Sequence, residues 1–293
     1  MNIESIDDIP LEHALVDVGA VTLHVVRAGP IDGPPVVLLH GFPELWYGWR
    51  RQIPALVRAG HRVLVPDQRG YNSSAKPTAV RDYRIDLLVD DVLGLLDAHG
   101  LQRAAVVGHD WGAAVAWRLA ARAPARVERL AILNVPHPSV LLRALWTNPR
   151  QLMRSWYMLF FQLPWLPEWL LGRRRAGVLV GMMKGSSKEG SFSREDLEVY
   201  RQAWTQPGAI RAMLAWYRAM IRHPAPRIPG LIRAPTAVLW GRLDSALGAD
   251  LVQPSLAHCA NAELHWFDQA THWVQHDAAA EVNERLLTFL GTE

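Results

Sequence analysis

Cysteine is nearly absent from this sequence. Cys259 is the only one, so no disulfide can form within the chain. Disulfides mark oxidising compartments, and the cysteine content gives no sign of one. The opening MNIESIDDIP also lacks the basic start and apolar run of a secretory signal. We therefore expect a cytoplasmic protein.

Long hydrophobic runs and a strong excess of one charge are also lacking. The most apolar window, residues 156–171, contains Gln162, Glu168 and two prolines and is shorter than the ~20 residues that span a bilayer. The net charge is only +3, and the one dense basic run, Arg173–Arg175, is short for a nucleic-acid footprint. We interpret that run as a solvated loop. The sequence predicts no membrane and no nucleic-acid partner, and it leaves a homodimer open.

Short apolar runs recur along the chain and predict strands. Because they do not alternate with polar residues, both faces of each strand should be buried, as in a parallel sheet covered by helices. Helical patterns lie between most of them, so the order predicts an α/β fold with a mostly parallel central sheet. The early runs HALVDV and VTLHVV predict a hairpin at one edge. The predicted buried strands are residues 36–40, 62–67, 104–110, 129–134, 236–240 and 262–267.

The alternation of strands and helices stops between about residues 138 and 226. This region has helical patterns, including a capping box from Ser193 to Asp196. A helical insertion in a parallel α/β domain lies over the carboxyl ends of the strands, where such sheets bind ligands. We predict a core formed by residues 1–138 and 227–293, with a helical lid of residues 139–226 inserted between core strands.

Residues 108–112, GHDWG, have the spacing of a nucleophile elbow. An apolar strand precedes them and an alanine-rich helix follows, and Gly108 and Gly112 permit the tight turn between the two. A carboxylate at such a buried turn costs free energy, so its presence there indicates a functional role. The motif in this context predicts Asp110 as a nucleophile.

An aspartate nucleophile restricts the chemistry. Serine attacking a saturated carbon would leave an ether, which water does not readily break. A carboxylate attacking the same carbon leaves an ester, whose carbonyl can then be hydrolysed. The substrate should therefore carry an electrophilic sp³ carbon, and a serine-type esterase is excluded.

Hydrolysis of that ester requires a base and a carboxylate that orients it. On this fold the acid and then the histidine follow the nucleophile in the chain. Asp244 follows the strand at 236–240 and His272 follows the strand at 262–267, so we predict these two residues. His265 and His276 are the alternatives to His272, and Asp268 is the alternative to Asp244.

The turn in LLHGFPELW, residues 38–46, follows the first long strand. We predict that the backbone N–H groups of Phe42 and Trp111 form an oxyanion hole. Two such donors would stabilise the negative charge that develops when water attacks the ester carbonyl. The alternative is an ordinary loop between a strand and a helix.

These residues together resemble the α/β-hydrolase superfamily and, within it, the epoxide hydrolases. The resemblance implies the α/β-hydrolase fold and an epoxide as the partner molecule. Asp110 would open the epoxide to an ester, and water activated by His272 and Asp244 would release a vicinal diol. Asn72 and Thr271 differ from the family, which often has glycine at both places. The resemblance covers essentially the whole chain and rests on HGFPE (40–44), DQRGYNSS (67–74), GHDWGA (108–113), NVPHP (134–138), GRLD (241–244) and THW (271–273).

The same resemblance assigns two acids in the lid. Tyr157 in SWYMLFFQLP and Tyr217 in LAWYRAMIRH match the family's lid tyrosines, which hydrogen-bond the epoxide oxygen and protonate it. Ring opening needs such help because an alkoxide is a poor leaving group at pH 7. The alternative is that each tyrosine only packs its helix into the lid.

Dehalogenases are the nearest alternative, since they share the aspartate, the histidine and the acid. Fluoroacetate dehalogenases resemble this chain around FQLPWLPE but have tryptophan where Tyr157 stands. Haloalkane dehalogenases often have a halide-binding asparagine where Phe42 stands. Both differences favour an epoxide hydrolase.

A non-catalytic binding protein on this fold is the remaining alternative. Such a protein would be expected to lack at least one of the proposed site residues.

The histidines show no paired metal-ligand spacing, so we expect no metal and no cofactor. Aromatic residues near the motifs predict a largely apolar, aryl-bearing substrate: Trp46, Trp111, Trp156, Phe160, Trp216 and Trp273.

Overall fold

The structure is a computed structural model that describes residues 3–291. Its strands are β1 (Ser5–Ile6), β2 (Ile9–Pro10), β3 (Glu12–Asp17), β4 (Thr22–Ala28), β5 (Pro35–Leu39), β6 (Arg62–Pro66), β7 (Ala104–His109), β8 (Val127–Leu133), β9 (Thr236–Gly241) and β10 (Ala262–Phe267). Its α-helices are α1 (Ile53–Arg58), α2 (Ile85–Ala98), α3 (Trp111–Arg122), α4 (Pro138–Thr147), α5 (Pro149–Arg154), α6 (Trp156–Phe160), α7 (Leu166–Ser186), α8 (Arg194–Trp204), α9 (Ala209–Arg222), α10 (Val252–Leu256), α11 (Val274–Asp277) and α12 (Ala279–Leu290).

The central sheet has eight strands in the order β10-β9-β8-β7-β5-β6-β4-β3. β3 pairs with β4 and β4 with β6 in antiparallel fashion, and the other neighbours are parallel. The predicted edge hairpin is therefore confirmed as β3 and β4, and the α/β-hydrolase fold with a mostly parallel sheet is confirmed. β1 and β2 form a separate two-stranded sheet.

The central strands are buried on both faces, as their unbroken apolar sequences predict. All six residues of β7 and of β9 are buried. Such strands need helices on both faces of the sheet, because neither face can be exposed to water. α3 packs on β5, β7 and β8 and also contacts α2, while α1 contacts α12.

Six helices, α4 to α9, occupy the chain between β8 and β9, which are neighbours in the sheet. This insertion is called the lid below, and the capping box that the sequence predicts is present at the start of α8. Hydrogen bonds fix the lid to the core: Trp204 donates from Nε1 to the carbonyl of Pro43 at 2.5 Å, and Trp216 to that of Arg69 at 2.9 Å. No α-helix within residues 3–291 combines the length and apolarity needed to cross a membrane.

The two departures from the family pattern have local explanations. Asn72 has a φ of 41°, a left-handed conformation that glycine adopts freely and asparagine tolerates better than most residues. Its side chain donates to Asp67 Oδ2 at 2.7 Å. The backbone N–H and the hydroxyl of Thr271 both donate to Asp277 Oδ2, at 2.7 and 2.5 Å, which holds the loop before His272.

Candidate active site

Asp110 lies at the sharp turn between β7 and α3. Its backbone has φ 49° and ψ −123°, outside the helical and strand regions. The flanking glycines are required by close packing. A Cβ on Gly112 would lie 2.1 Å from the carbonyl oxygen of Leu39, and one on Gly108 would lie 2.6 Å from the Cα of Ala113. Glycine at both places therefore allows the strand, the turn and the helix to pack closely.

Gly41 makes an equally close approach to Asp110 from the loop that follows β5. A Cβ at this position would lie 2.2 Å from the Cβ of Asp110 and 2.6 Å from its Oδ1. The contact involves the root of a short side chain, so rotation of Asp110 cannot relieve it. The Gly of HGFPE is thus dictated by the position of Asp110.

We expect Gly41→Ala to lose most activity and to be less stable by about 1–3 kcal/mol, the usual range for overpacking. Either the 40–44 loop or Asp110 must move, and both carry site groups. Turnover and urea unfolding would measure the two effects. Gly181→Ala is the matched control, because its added Cβ meets no atom within 4 Å. Wild-type activity in Gly41→Ala would show that the site does not depend on this contact.

The two carboxylate oxygens of Asp110 face different partners. Oδ1 accepts a hydrogen bond from the backbone N–H of Phe42 at 2.7 Å. Oδ2 lies 3.5 Å from Nε2 of His272. Trp111 is the first residue of α3, where a backbone N–H has no acceptor within its own helix. The Phe42 N–H is thus hydrogen-bonded to the Asp110 carboxylate. The Trp111 N–H belongs to the residue that follows Asp110 in the chain.

The surroundings of Asp110 favour its ionised form. Burial alone would raise the pKa of this carboxyl, but the hydrogen bond and charge of His272, together with His109 and the Phe42 N–H, lower the pKa below its usual range. Asp110 is therefore ionised at neutral pH, as a nucleophilic role would require.

His272 lies between two carboxylates. Its Nδ1 donates to Asp244 Oδ2 at 2.7 Å, which leaves Nε2 directed at Asp110. Burial alone would lower the pKa of His272, but the charges of Asp244 and Asp110 and their hydrogen bonds raise it to about 10. Conversion of Asp110 to an ester would remove one of these two charges.

Asp244 is buried and fully hydrogen-bonded. Besides His272 it accepts from the backbone N–H groups of Ala246 and Leu247, at 2.8 and 2.9 Å, and from Nδ2 of Asn134 at 2.8 Å. Asn134 follows β8 and also accepts from the N–H of Gly241 at 2.8 Å. Sequence reasoning missed Asn134, although it is the first residue of the NVPHP motif.

The alternative residues lie elsewhere. His265 is hydrogen-bonded to Glu263 on β10, and Asp268 forms an exposed ion pair with Arg242. His276 is buried but contacts Glu44 rather than Asp110. No group of three or more His, Cys, Asp or Glu side chains in residues 3–291 has a metal-binding arrangement.

Glu44 is the second residue that sequence reasoning missed, and its carboxylate is buried. Its oxygens accept from the Tyr200 hydroxyl at 2.7 Å and from Nε2 of Gln275 at 3.0 Å, and one lies 2.8 Å from Nε2 of His276. Gln275 also lies 3.0 Å from Nδ1 of His109, whose Nε2 lies 2.8 Å from the carbonyl oxygen of His272. The network joins the HGFPE loop to the His272 loop. The sequence did carry a signal for Glu44, which is a charged residue in the largely apolar motif HGFPE.

Both predicted tyrosines lie close to Asp110, on helices of the lid. The rings of Tyr157 on α6 and Tyr217 on α9 lie 5.9 Å apart at 80°. The Tyr217 ring also lies 5.0 Å from that of Trp111 and 5.3 Å from that of Phe42. Burial, followed by the charge of Asp110, raises the pKa of each hydroxyl well above its usual range. Both phenols are therefore protonated donors at neutral pH.

The aromatic residues near the motifs divide into two groups. Trp216 contacts the ring of Trp111 at 5.6 Å, and Trp273 meets the edge of His272 at 5.4 Å. Trp156, in contrast, is 63% exposed on the outside of the lid. Its assignment to the substrate environment is wrong, because α6 directs the adjacent residue Tyr157 inward and Trp156 outward.

Comparison with known proteins gives consistent matches over this chain. A family model described as the alpha/beta hydrolase fold matches residues 34–163. The AB hydrolase superfamily protein YfhM of Bacillus subtilis is 44% identical, over 94% of this chain and 96% of the relative. Epoxide hydrolase A of Mycobacterium tuberculosis is 35% identical, over 94% of this chain and 96% of its own. The crystal structure of epoxide hydrolase A from Mycobacterium thermoresistibile matches with a TM-score of 0.86 and 34% identity, over 97% of this chain and 99% of the other.

Proposed function

This chain belongs to the epoxide hydrolases of the α/β-hydrolase superfamily and is an enzyme acting on epoxides, and we propose that it forms a vicinal diol through a covalent ester on Asp110. The partner molecules are a small epoxide and water. The roles of the individual residues below are part of this proposal, as is the assignment of residues 139–226 as the lid. A cytoplasmic location is supported by the single cysteine.

In the first step Asp110 attacks one epoxide carbon. Oδ1 is held by the Phe42 N–H, so Oδ2 is the attacking oxygen. The carbon–oxygen bond of the strained ring breaks, and a hydroxyl proton of Tyr157 or Tyr217 goes to the leaving oxygen. The product is a hydroxyalkyl ester on Asp110 and a tyrosinate, with no group released.

In the second step water attacks the ester carbonyl. His272 Nε2 accepts one water proton, and Asp244 stabilises the resulting imidazolium through Nδ1. The oxyanion at Oδ1 is stabilised by the N–H groups of Phe42 and Trp111. Collapse restores the Asp110 carboxylate and releases the diol. One proton of the water returns to the tyrosinate, and the other completes the second hydroxyl of the diol.

The observation that carries the proposal is the tyrosine pair above an ionised aspartate. A halide leaving group needs no proton, and two phenols kept protonated beside a carboxylate are suited to an oxygen leaving group. The dehalogenase alternative has tryptophan at the place of Tyr157. A non-catalytic binding protein has no use for an ionised nucleophile aligned with a base.

The first experiment compares styrene oxide with fluoroacetate, each incubated with the purified protein. Diol is assayed with the epoxide and fluoride with the fluoroacetate. Diol without fluoride is expected. Fluoride without diol would overturn the role of the tyrosines. If neither diol nor fluoride formed, that result would contradict the proposed aryl-bearing substrate. Glycidol as a third substrate tests polarity, since it should turn over more slowly than styrene oxide.

The lid acids give a prediction of their own. Tyr157→Phe and Tyr217→Phe should each slow ring opening by about 10- to 100-fold, and the double variant by about 10³-fold or more, because general acid catalysis contributes about 10²–10⁴-fold. Single-turnover alkylation measures this step directly. Tyr83→Phe is the control, since Tyr83 is buried and donates to the carbonyl of Pro77. Unchanged alkylation in the double variant would contradict the proposal.

The two steps should also differ in their pH dependence. The lowered pKa of Asp110 keeps the nucleophile ionised, so alkylation should change little between pH 5 and pH 8. Hydrolysis requires neutral His272, whose pKa the remaining Asp244 charge still raises, so this step should accelerate as pH rises. The ester should therefore accumulate more at pH 5 than at pH 8. Rapid quenching followed by intact-protein mass spectrometry would measure it, and equal amounts at both pH values would contradict this account.

A further inference from the structure

The outer side of the lid carries apolar residues that no part of the described chain covers. α5 and α6 are separated only by Ser155, and Leu152, Trp156 and Leu159 repeat at helical spacing along them. All three side chains are exposed. A surface helix of a globular protein normally presents polar residues to water.

The inner side of α5 is polar, whereas the inner side of α6 is apolar and buries Met158. Gln151 and Ser155 are buried, and they hydrogen-bond to each other at 3.0 Å. Gln151 also donates to the carbonyl of Ala246 at 2.8 Å and accepts from the N–H of Gly248 at 3.0 Å. On α5 the usual arrangement is therefore reversed, because Gln151 is buried while Leu152 and Met153 are exposed.

Further apolar residues are exposed at the start of α7. Trp165 and Trp169 lie one helical turn apart and are 71% and 53% exposed. Together with Trp156 they expose roughly 400 Å² of aromatic surface, which is within the range of the largest patch on a typical monomer. We call this surface the outer lid face: Leu152, Met153, Trp156, Leu159, Leu163, Trp165 and Trp169.

A buried arginine fixes the turn in the middle of the outer lid face. Arg218 on α9 donates to the carbonyls of Phe161 and Leu163, at 2.9 and 2.7 Å, and forms an ion pair with Glu168 at 2.5 Å. The end of α6 and the start of α7 are thus attached to one side chain. The face is a preformed surface and not the tip of a loose loop.

The chain segment that carries the face is strongly cationic. Between Pro138 and Lys188 there are six arginines and two lysines against Glu168 alone, a net +7 in a chain whose total is +3, so the remainder carries −4. Arg173 lies with its guanidinium 4.4 Å from the centre of the Trp169 ring. Arg150, Arg154, Arg173 and Arg174 form no ion pair with a carboxylate of residues 3–291.

We propose that the outer lid face binds the surface of an anionic phospholipid bilayer. Tryptophan is the residue that most favours the boundary between lipid and water, and basic residues beside it favour anionic headgroups. The sequence predicted no membrane partner because no segment is long enough to span a bilayer. A surface that lies on the bilayer needs no such segment.

A second copy of the chain is the other apolar occupant to consider. A two-fold dimer brings the same patch of each subunit together. The arginines around the outer lid face would then approach arginines, at a cost in repulsion. The charge around the face therefore favours an anionic partner over a copy of this chain.

The test is co-sedimentation of the full-length protein with vesicles of phosphatidylcholine, with and without phosphatidylglycerol. Binding is expected only with phosphatidylglycerol and should weaken as salt is raised, because the charges are exposed. Arg173→Gln, Arg174→Gln and Arg175→Gln together should lower the partition coefficient by about 100-fold, at roughly fivefold for each arginine. Trp165→Ser with Trp169→Ser should lower it by about 100-fold or more, through the loss of buried apolar surface.

Matched controls separate the face from general charge and hydrophobicity. Arg58→Gln, Arg103→Gln and Arg233→Gln remove the same charge from exposed sites outside the lid, and Leu15→Ser with Ile31→Ser removes two exposed apolar residues. Neither control should change vesicle binding, and circular dichroism should show every variant folded. Binding that is absent, insensitive to phosphatidylglycerol or equally reduced by the controls would overturn the proposal. A lipid-free dimer that Trp165→Ser with Trp169→Ser dissociates would assign the face to a second copy instead.

Discussion

Asp110→Asn is expected to lose epoxide turnover by about 10⁴-fold or more, the scale on which removal of a nucleophile acts. The amide has nearly the shape of the carboxylate and can still accept from the Phe42 N–H, so the fold of the elbow should survive. It cannot form the ester, however, because a neutral amide is a poor nucleophile towards saturated carbon. Diol formation and covalent labelling should fall together. A slow return of activity would indicate deamidation of the introduced asparagine back to aspartate.

The control for this variant is Asp268→Asn, which removes an exposed carboxylate paired with Arg242 and should keep wild-type turnover. Isotope labelling adds an independent measurement. If water attacks the ester carbonyl, a single turnover in ¹⁸O-water labels the Asp110 carboxylate and leaves the first diol unlabelled. Label in the first diol would mean that water attacks the epoxide directly and that Asp110 is not the nucleophile.

His272→Gln is expected to be alkylated once and then to stop. The first step uses Asp110 and the lid tyrosines, whereas hydrolysis loses its base and should slow by about 10³–10⁴-fold. Intact-protein mass spectrometry should show one epoxide mass added to each molecule, because ring opening releases nothing. The measurement belongs at pH 8, since loss of the His272 charge removes the largest effect that lowers the pKa of Asp110.

His265→Gln is the matched control, because His265 contacts Glu263 at the surface of β10 and should leave both steps intact. Rapid, complete turnover by His272→Gln would rule out the two-step scheme. Failure of the variant to be alkylated at pH 8 would mean that His272 is needed before the ester forms, and would shift its role to positioning Asp110.

The fold was predictable because its signals are local and repeated. Runs such as residues 36–40 and 104–110 are apolar without alternation, and only a sheet buried on both faces satisfies them. The positions of Asp110, Asp244 and His272 were predictable for a related reason. Asp110 ends such a run, Asp244 and His272 follow one within five residues, and the carboxyl ends of parallel strands meet at one edge of the sheet.

The contacts of the supporting residues were not predictable, because their partners are distant in the chain. Asn134 lies 110 residues from Asp244, and Glu44 lies 232 residues from His276. Side-chain contacts at such separations depend on packing and leave no spacing in the sequence. Gly41 illustrates the same limit. A Cβ on Gly41 would collide with Asp110, which is 69 residues away, and no sequence pattern connects the two.

The outer lid face shows where an averaged property misleads. The window 156–171 is apolar as a whole, and two of its aromatic residues, Trp156 and Phe160, were predicted to lie near the substrate. Tyr157 does face inward, but Trp156 faces outward, because adjacent residues on a helix point about 100° apart. Hydrophobicity alone could not divide the segment between its two sides.

The insertion of the lid between β8 and β9 has a consequence for how the molecule is made. A chain leaves the ribosome from its N-terminus, so β7 and Asp110 emerge early, while Asp244 and His272 follow only after β9 and β10. On the mechanism proposed above, Asp110 is then present before the two residues that would hydrolyse its ester. An epoxide captured at that stage would stay attached. On the same mechanism, the folding of the residues after 236 would set how long each newly synthesised molecule is exposed to inactivation by its own substrate.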